Sequence, residues 1–483
     1  MDVSESNTKK QAGTAGGTAR HSSLSRAAAV AAGALLLAWP AIYNHYPLLY
    51  PDSITYLADG RSVARALFLH RLSEYYGMRS LIYSLEILPF HWNVSPWPVV
   101  ALHAGLAAWI LWLVVRSIFP QRTVVTYLMV VPLLSLLSSV SWFVSLILPD
   151  ILGPLLYLSL YLLVFARETL TGRERVGAAC FAGWAMTAHL THLALAAGVC
   201  MLLALLWLAH SPLLTGRGRA LAGAALVVIV AGGAQVALHA YLYGNASLEG
   251  DAPPFLAARV IADGPGRWYL EQHCPQAGLA LCESVDELPA DTDEFLWKRG
   301  GIWPAAAADG DDRIRQQELK FVLAVLRAFP RQQLAISAGH FRQQLGAFGL
   351  YDLDRNNWVL EAFDTALPGD KSNYLKSWQF NDALPLEGFS TAEYWTVVVS
   401  LAVIALVPLL LRGRLPHPLQ GLTVIALPAV AANALITGVF SNVEERYQAR
   451  VVWLLPLLAV LYSLCWLERR RGRARDSLQA APS

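Results

Sequence analysis

Charge is what this chain has least of. Only 15% of its 483 residues are Asp, Glu, Lys or Arg, against roughly 25% in soluble domains. That shortage excludes a protein whose whole surface faces water. The net charge is just +2, so the broad basic face that nucleic acid requires is missing and no nucleic-acid partner is expected. Cysteine is scarce too, at five residues. Cys180, Cys200 and Cys465 lie in apolar runs and read as small core side chains. Cys274 and Cys282 share the one large polar segment, and in an oxidising compartment their spacing permits a disulfide. Only His273 lies nearby and there is no second pair of ligands, which speaks against zinc. The same segment holds no Gly-x-x-x-x-Gly-Lys loop and no dinucleotide fingerprint after a strand, so it offers no phosphate cradle.

What the chain has in place of charge is hydrocarbon: 55% of residues are hydrophobic and the mean hydropathy is +0.41. Runs approaching bilayer length, about 17 to 25 residues, fall near 27–46, 97–115, 124–146, 150–166, 176–191, 193–209, 220–242, 393–411, 419–440 and 449–467. The stretch 176–209 is too long for one helix of ordinary tilt and is divided here at its polar interruption, Thr187 to His192. The expected fold class is an α-helical polytopic membrane protein of about ten transmembrane helices with an outer, mainly helical soluble domain.

The positions of the cations fit that division. Lys9, Lys10, Arg20 and Arg26 precede the first run; Arg116 and Arg122 join the second and third. Arg167, Arg173 and Arg175 join the fourth and fifth, Arg217 and Arg219 the sixth and seventh, and Arg412 and Arg414 the eighth and ninth. Arg469, Arg470, Arg471, Arg473 and Arg475 follow the last. Every second connection is basic, which predicts both termini in the cytoplasm. With the Ala-, Arg- and Leu-rich composition, it predicts a multi-pass protein of a bacterial inner membrane.

Residues 1–26 then read as a disordered cytoplasmic tail and 27–242 as a seven-helix module whose first run is a signal anchor. Residues 243–392 form a periplasmic domain, 393–467 three further spans and 468–483 a basic cytoplasmic tail. The first outer loop, 47–96, carries Ile54, Leu57, Val63, Leu67, Leu81 and Leu85 at helical spacing around a break at Gly77. That predicts two amphipathic helices on the membrane surface. In the periplasmic segment, Leu319, Val322, Leu323, Leu326 and Phe329 repeat helically within 311–346.

Two acids interrupt this apolar pattern on the outer side. Asp52 follows Tyr50-Pro51, and Asp150 follows Leu148-Pro149 at the start of the fourth run. A carboxylate beside hydrocarbon is costly and marks a functional candidate, although either could simply cap its helix. Together they suit acid/base chemistry, a cation or a polar substrate. Asp59 follows Asp52 by two helical turns and offers a second carboxylate on that face. Arg61, Arg65, Arg71, Arg79, Arg446 and Arg450 are the outer cations, with the planar fork that binds phosphate, or stems that snorkel to headgroups. His189 and His192, three apart, could join the aspartates on a metal, hydrogen-bond a sugar, or simply hydrogen-bond inside the bundle or sit at the interface. Glu444, Glu445, Arg446 and Tyr447 form the charged turn before the last run, either as a solvated ion pair or as part of a site.

A first helix followed by an acid and a long outer loop, a second acid opening the fourth helix, and seven helices before a large outer domain resemble the GT-C membrane glycosyltransferases. The likeness covers about residues 27–242. It implies transfer of a sugar from a polyprenyl-phosphate donor to an envelope glycan, lipid or protein at the outer face. It also implies Asp52 as base or positioning acid, Asp150 at the second acidic position, and outer-loop cations on the lipid phosphate. The Asp-Glu or Asp-x-Asp pair of many members is absent from the first loop, so a divalent metal is left open and no cofactor is assigned. The rival readings are a lipid or polysaccharide flippase and a non-catalytic envelope assembly protein.

Overall fold

The computed structural model describes residues 24–69, 80–250 and 252–479. Most of the amino-terminal tail, the break at Gly77, and Arg71 and Arg79 lie outside the described residues. Every regular element among those described is a helix, apart from one parallel bridge between Leu48 and Leu146. Among the described residues, six helices are long and apolar enough to cross a bilayer: Trp97–Ile118, Leu190–Leu208, Gly218–Tyr243, Leu386–Leu410, His417–Phe440 and Glu445–Arg471. Leu24–Leu37, Thr123–Leu137 and Pro149–Phe165 are shorter apolar helices. Helix Gly172–Thr187 opens on a capping box, in which Thr171 and Glu174 satisfy each other's end of the first turn.

The division of 176–209 is present in the chain: one helix stops at Thr187 and the next starts at Leu190. His189 adopts extended backbone there and its ring accepts from the Thr191 N–H. Two runs expected to be continuous are broken. The first bends at Ala38, ahead of Pro40, and continues as the short helix Trp39–Tyr43. The third stops at Ser138, and Val140–Ser145 restarts it. That break is held from outside: Glu393 accepts the Ser139 N–H at 2.8 Å, and the Ser139 hydroxyl donates to the Ala449 carbonyl.

The two helices of the first loop, Pro51–Leu69 and Leu81–His91, do not lie singly on a surface. They pack against each other, and the first also packs on helix Asn357–Ala366. Ile54, Leu57, Val63, Tyr83 and Ile87 are fully buried between them and the bundle. Gly60 permits this approach, since a Cβ there would stand 2.8 Å from the Ser84 carbonyl. Burial lifts the Asp59 carboxyl to about 6 and the Glu86 carboxyl to about 9 in this helix pair.

The polar segment 243–392 divides in two. Residues 257–325 have a hydrophobic core of their own, whereas Leu350, Leu353, Val359, Phe363 and Tyr374 belong to the core of the bundle. Cys274 and Cys282 form a disulfide with Cα atoms 5.4 Å apart. The 311–346 stretch is two helices, Arg313–Ala328 and Pro330–Gly346. The inner face of the first is Ile314, Phe321, Val322 and Val325, while Leu319, Leu323 and Leu326 are exposed, contrary to a single core face. Cys180 is exposed rather than buried; Cys200 and Cys465 are in the core.

One end of the bundle is stitched by the basic connections. Arg116 pairs with Glu174 at 2.8 Å, Arg217 donates to the Val164 carbonyl, and His417 bonds the Leu213 carbonyl. Arg122 lies 3.9 Å from Glu468. Asp150, His192 and Arg446 occupy the opposite ends of the helices that carry them.

Candidate functional site

A short backbone register builds the site. Leu48 donates its N–H to the Ser145 carbonyl, and Ile147 donates to Leu48. This bridge lays 48–52 beside 146–150, bringing the Tyr50-Pro51-Asp52 turn alongside Leu148-Pro149-Asp150. Gln379 holds the segment at Leu49, donating to the Leu49 and Leu353 carbonyls and accepting from the Leu49 N–H.

Asp150 is in the first turn after Pro149 and is buried. Its carboxylate makes no capping bond to that turn; it receives Nη1 of Arg446 at 3.2 Å and Nη1 of Arg450 at 3.3 Å. The two arginines stand one turn apart on helix Glu445–Val452, which puts both guanidiniums on one face. Both are buried. Arg450 also donates to Asn433 Oδ1 at 3.1 Å, and Asn433 in turn donates to the Tyr447 carbonyl. Asp352 accepts the Arg446 N–H at 2.9 Å and so fixes the start of that helix. Buried charge is costly unless paired and hydrogen-bonded, and Asp150 is paired with both arginines.

Aromatic faces enclose the cations. The Arg446 guanidinium is 4.2 Å from the Tyr50 ring centre and 5.0 Å from that of Tyr447; Arg450 is 5.4 Å from Tyr447. The charge of Asp52 acts on Arg446 and on the Tyr50 hydroxyl. Burial raises the Tyr50 hydroxyl far above its ordinary range, so it stays a neutral donor. Asp52 and Asp150 therefore both bear on one guanidinium, Asp150 by direct contact.

His192 is buried beside Gly153, in the first turn of the next helix after Asp150, and feels the charges of Asp150 and Arg450. Its Nδ1 bonds the Ala185 carbonyl at 2.8 Å, leaving Nε2 as the acceptor nitrogen, with no hydrogen-bond partner among the described residues. Tyr157 Oη and Arg446 Nε are likewise buried without a hydrogen-bond partner among the described residues. His189 caps its helix, with its ring 5.1 Å from that of His192. Glu444 lies at the rim, where burial and the acids Asp352, Asp293 and Asp291 push its carboxyl up to about 7.

The arginines of the first loop stand elsewhere. Arg61 is exposed and donates to the Trp92 carbonyl at 2.9 Å; Arg65 is exposed on the same helix. The cations at the aspartate are those of the last helix. Sequence reading missed His103 and Tyr83, both buried, joined at 3.2 Å and both within the field of Asp150. The only signal for His103 was a lone imidazole in an apolar span. Among the described residues no group of three or more His, Cys, Asp or Glu could hold a metal ion, and two guanidiniums on Asp150 would repel one.

Four apolar helices, Trp97–Ile118, Pro149–Phe165, Leu190–Leu208 and Glu445–Arg471, carry their site residues in the first two turns. Their N-terminal dipole ends thus lie beside the two arginines and Asp150. Fold and site together define a helical membrane protein with a buried cluster of one aspartate and two arginines at one end of its bundle. No protein-family model, curated protein or solved structure matches the chain.

Proposed function

We propose that this protein is a membrane glycosyltransferase of GT-C type. It would move a sugar from a polyprenyl-phosphate donor to a cell-envelope acceptor at the outer face of a bacterial inner membrane, with about ten spans and both termini cytoplasmic. The observation that carries this reading is the pairing of Arg446 and Arg450 with a single carboxylate, Asp150. Both guanidiniums are held where four helix N-termini point, and a lipid phosphate is the anion a bilayer supplies there. Arg446, with Nε unpartnered and Tyr50 and Tyr447 flanking it, holds the phosphate. Asp150 orients both arginines and so acts by positioning. Asp52 takes the acceptor hydroxyl proton as the oxygen bonds to the anomeric carbon. The bond to phosphate breaks, and its electron pair leaves on the phosphate oxygen facing Arg446.

One observation favours a second reading. Glu393 is buried at a broken apolar helix, and broken helices with buried charge are the machinery of transporters. A flippase would bind the same lipid phosphate yet consume no donor. Mass spectrometry of envelope glycans from cells lacking the protein tests the choice. The transferase reading expects one species to lose a single sugar, restored by the wild-type chain and not by Asp52→Asn, whose rate falls on the order of 10²–10⁴-fold. An unaltered glycan profile, or full restoration by Asp52→Asn, would reject it.

A further inference from the structure

The outer helix Arg313–Ala328 has two apolar faces, and only one is used. Phe321, Val322 and Val325 fill the outer-domain core. Leu319, Leu323 and Leu326 recur at i, i+4 and i+7 on roughly the opposite side, with 64%, 40% and 40% of their surface exposed. Beyond the turn, Leu334 of helix Pro330–Gly346 is 72% exposed. A surface helix normally keeps polar residues on the side away from its core.

The charges on this exposed side have one sign. Lys320 and Arg327 flank the leucine stripe, and Arg331 follows at the turn; all three are exposed. From Ile314 to Leu345 the one acid is Glu318. It is turned inward, accepting the Leu256 and Ala257 N–H groups at 2.7 and 3.0 Å. Trp268, 39% exposed, packs edge-on to Phe329 at the turn between the two helices. Leucine, an interfacial Trp and unopposed Lys and Arg are the composition of a helix lying in a headgroup layer.

The fold also puts the hairpin at the level where that layer would be. Helix Pro330–Gly346 packs along apolar helix His417–Phe440. Near the carboxyl end of the latter, Gly438 leaves no room for a side chain beside Gln344 and the His340 carbonyl. Arg259 of the outer domain donates to the Gly438 carbonyl at 3.2 Å and pairs with Asp263 at 3.2 Å, and Gln333 donates to Asp263. The hairpin is thus fixed to the end of a membrane-length helix and cannot swing free of it.

We propose that the hairpin 313–346 is a membrane-surface anchor, with Leu319, Leu323, Leu326 and Leu334 seated in the outer leaflet and Lys320, Arg327 and Arg331 on anionic phospholipid headgroups. It would keep the outer domain pressed to the bilayer beside the buried centre, whatever reaction occurs there.

The test uses the full chain, with Cys180, Cys200 and Cys465 replaced by Ala and the disulfide kept, reconstituted in phosphatidylglycerol/phosphatidylcholine vesicles. Nitroxides are placed through L319C, L323C and L326C, with E287C on the exposed surface of the outer domain as the aqueous control. Anchoring expects oxygen to relax the three leucine-site labels several-fold more than a water-soluble nickel chelate does, with the reverse at the control, at every protein-to-lipid ratio. In the unsubstituted chain, a photoactivated lipid carbene should mark peptides from 319–334. Aqueous behaviour equal to the control, or absence of lipid labelling, would overturn the proposal. So would protection that disappears on dilution in lipid, which would assign the face to a second copy of the chain.

Discussion

At the residue scale the centre turns on one carboxylate holding two arginines. Asp150→Asn removes the charge and keeps the shape, leaving Arg446 and Arg450 buried against a neutral amide. Unpairing a buried cluster costs about 3–5 kcal/mol, so a large fall in melting temperature in detergent is expected. Asp52→Asn, which leaves the Asp150 pairs intact, should melt within about 1 kcal/mol of wild type. Equal melting of the two variants would mean that Asp150 does not organise the arginines. Asp59 offers a pH test. Its folded carboxyl sits at about 6, above its ordinary 3.8, so the folded state binds more protons between those values. Stability therefore falls as pH rises from about 4 to 6, and the loss is complete above that range. Asp59→Asn should stabilise by roughly 1–3 kcal/mol near neutral pH and change nothing near pH 4; a gain that is the same at both would remove burial as the cause. Asp52, Asp150 and Arg446 were visible in the sequence because charge stands out against hydrocarbon. Their pairing was not, since Asp150 and Arg446 lie 296 residues apart and no local spacing relates them. Arg61 and Arg65 were equally visible but occupy the exposed side of their helix.

At the scale of elements, the chain declares a break only when the break carries polarity. The turn at Ala188–His189 was legible because Thr187, His189, Thr191 and His192 interrupt an apolar run. The break at Ser138–Ser139 was not, because serine is easily carried inside a membrane helix and the group that caps it is Glu393, 254 residues away. Replacing Glu393 with Ala leaves the Ser139 N–H buried without a partner, at a cost of about 1–3 kcal/mol. Glu393→Gln keeps an acceptor and should recover most of that in the same melting assay; if Gln is as damaging as Ala, the charge rather than the cap is what matters. The outer domain has a comparable short-range restraint. The Cys274–Cys282 disulfide closes a small loop, and its removal should destabilise that domain by roughly 2–3 kcal/mol. Thiol labelling of the unfolded, unreduced protein should leave both cysteines unmodified, whereas labelling of both would show the bond absent in the mature chain.

At the scale of the whole molecule, two independent patterns meet. The sequence places Arg and Lys in every second connection, and the fold gathers those connections by contact: Arg116 with Glu174, Arg217 with the Val164 carbonyl and Glu168, and His417 with the Leu213 carbonyl. The other end holds the charged centre, reached by the starts of four apolar helices. Helices whose N-termini share one end must run in the same direction, so each pair of them is separated by an odd number of crossings. That parity requires Gly172–Thr187 to count as a crossing of its own, although it is only 16 residues long and opens on charged residues. It spans about 24 Å, short of a hydrocarbon core of about 30 Å, and Arg173 and Arg175 at its first turn can snorkel to the headgroups. Reporter fusions at positions 215 and 415 should therefore read cytoplasmic, and fusions at 300 periplasmic. A periplasmic signal at 215 would mean that Gly172–Thr187 and Leu190–Leu208 do not both cross. Arg217 and Glu174 would then be on opposite sides of the membrane, and the common outer face for Asp52, Asp150 and His192 would be lost with it.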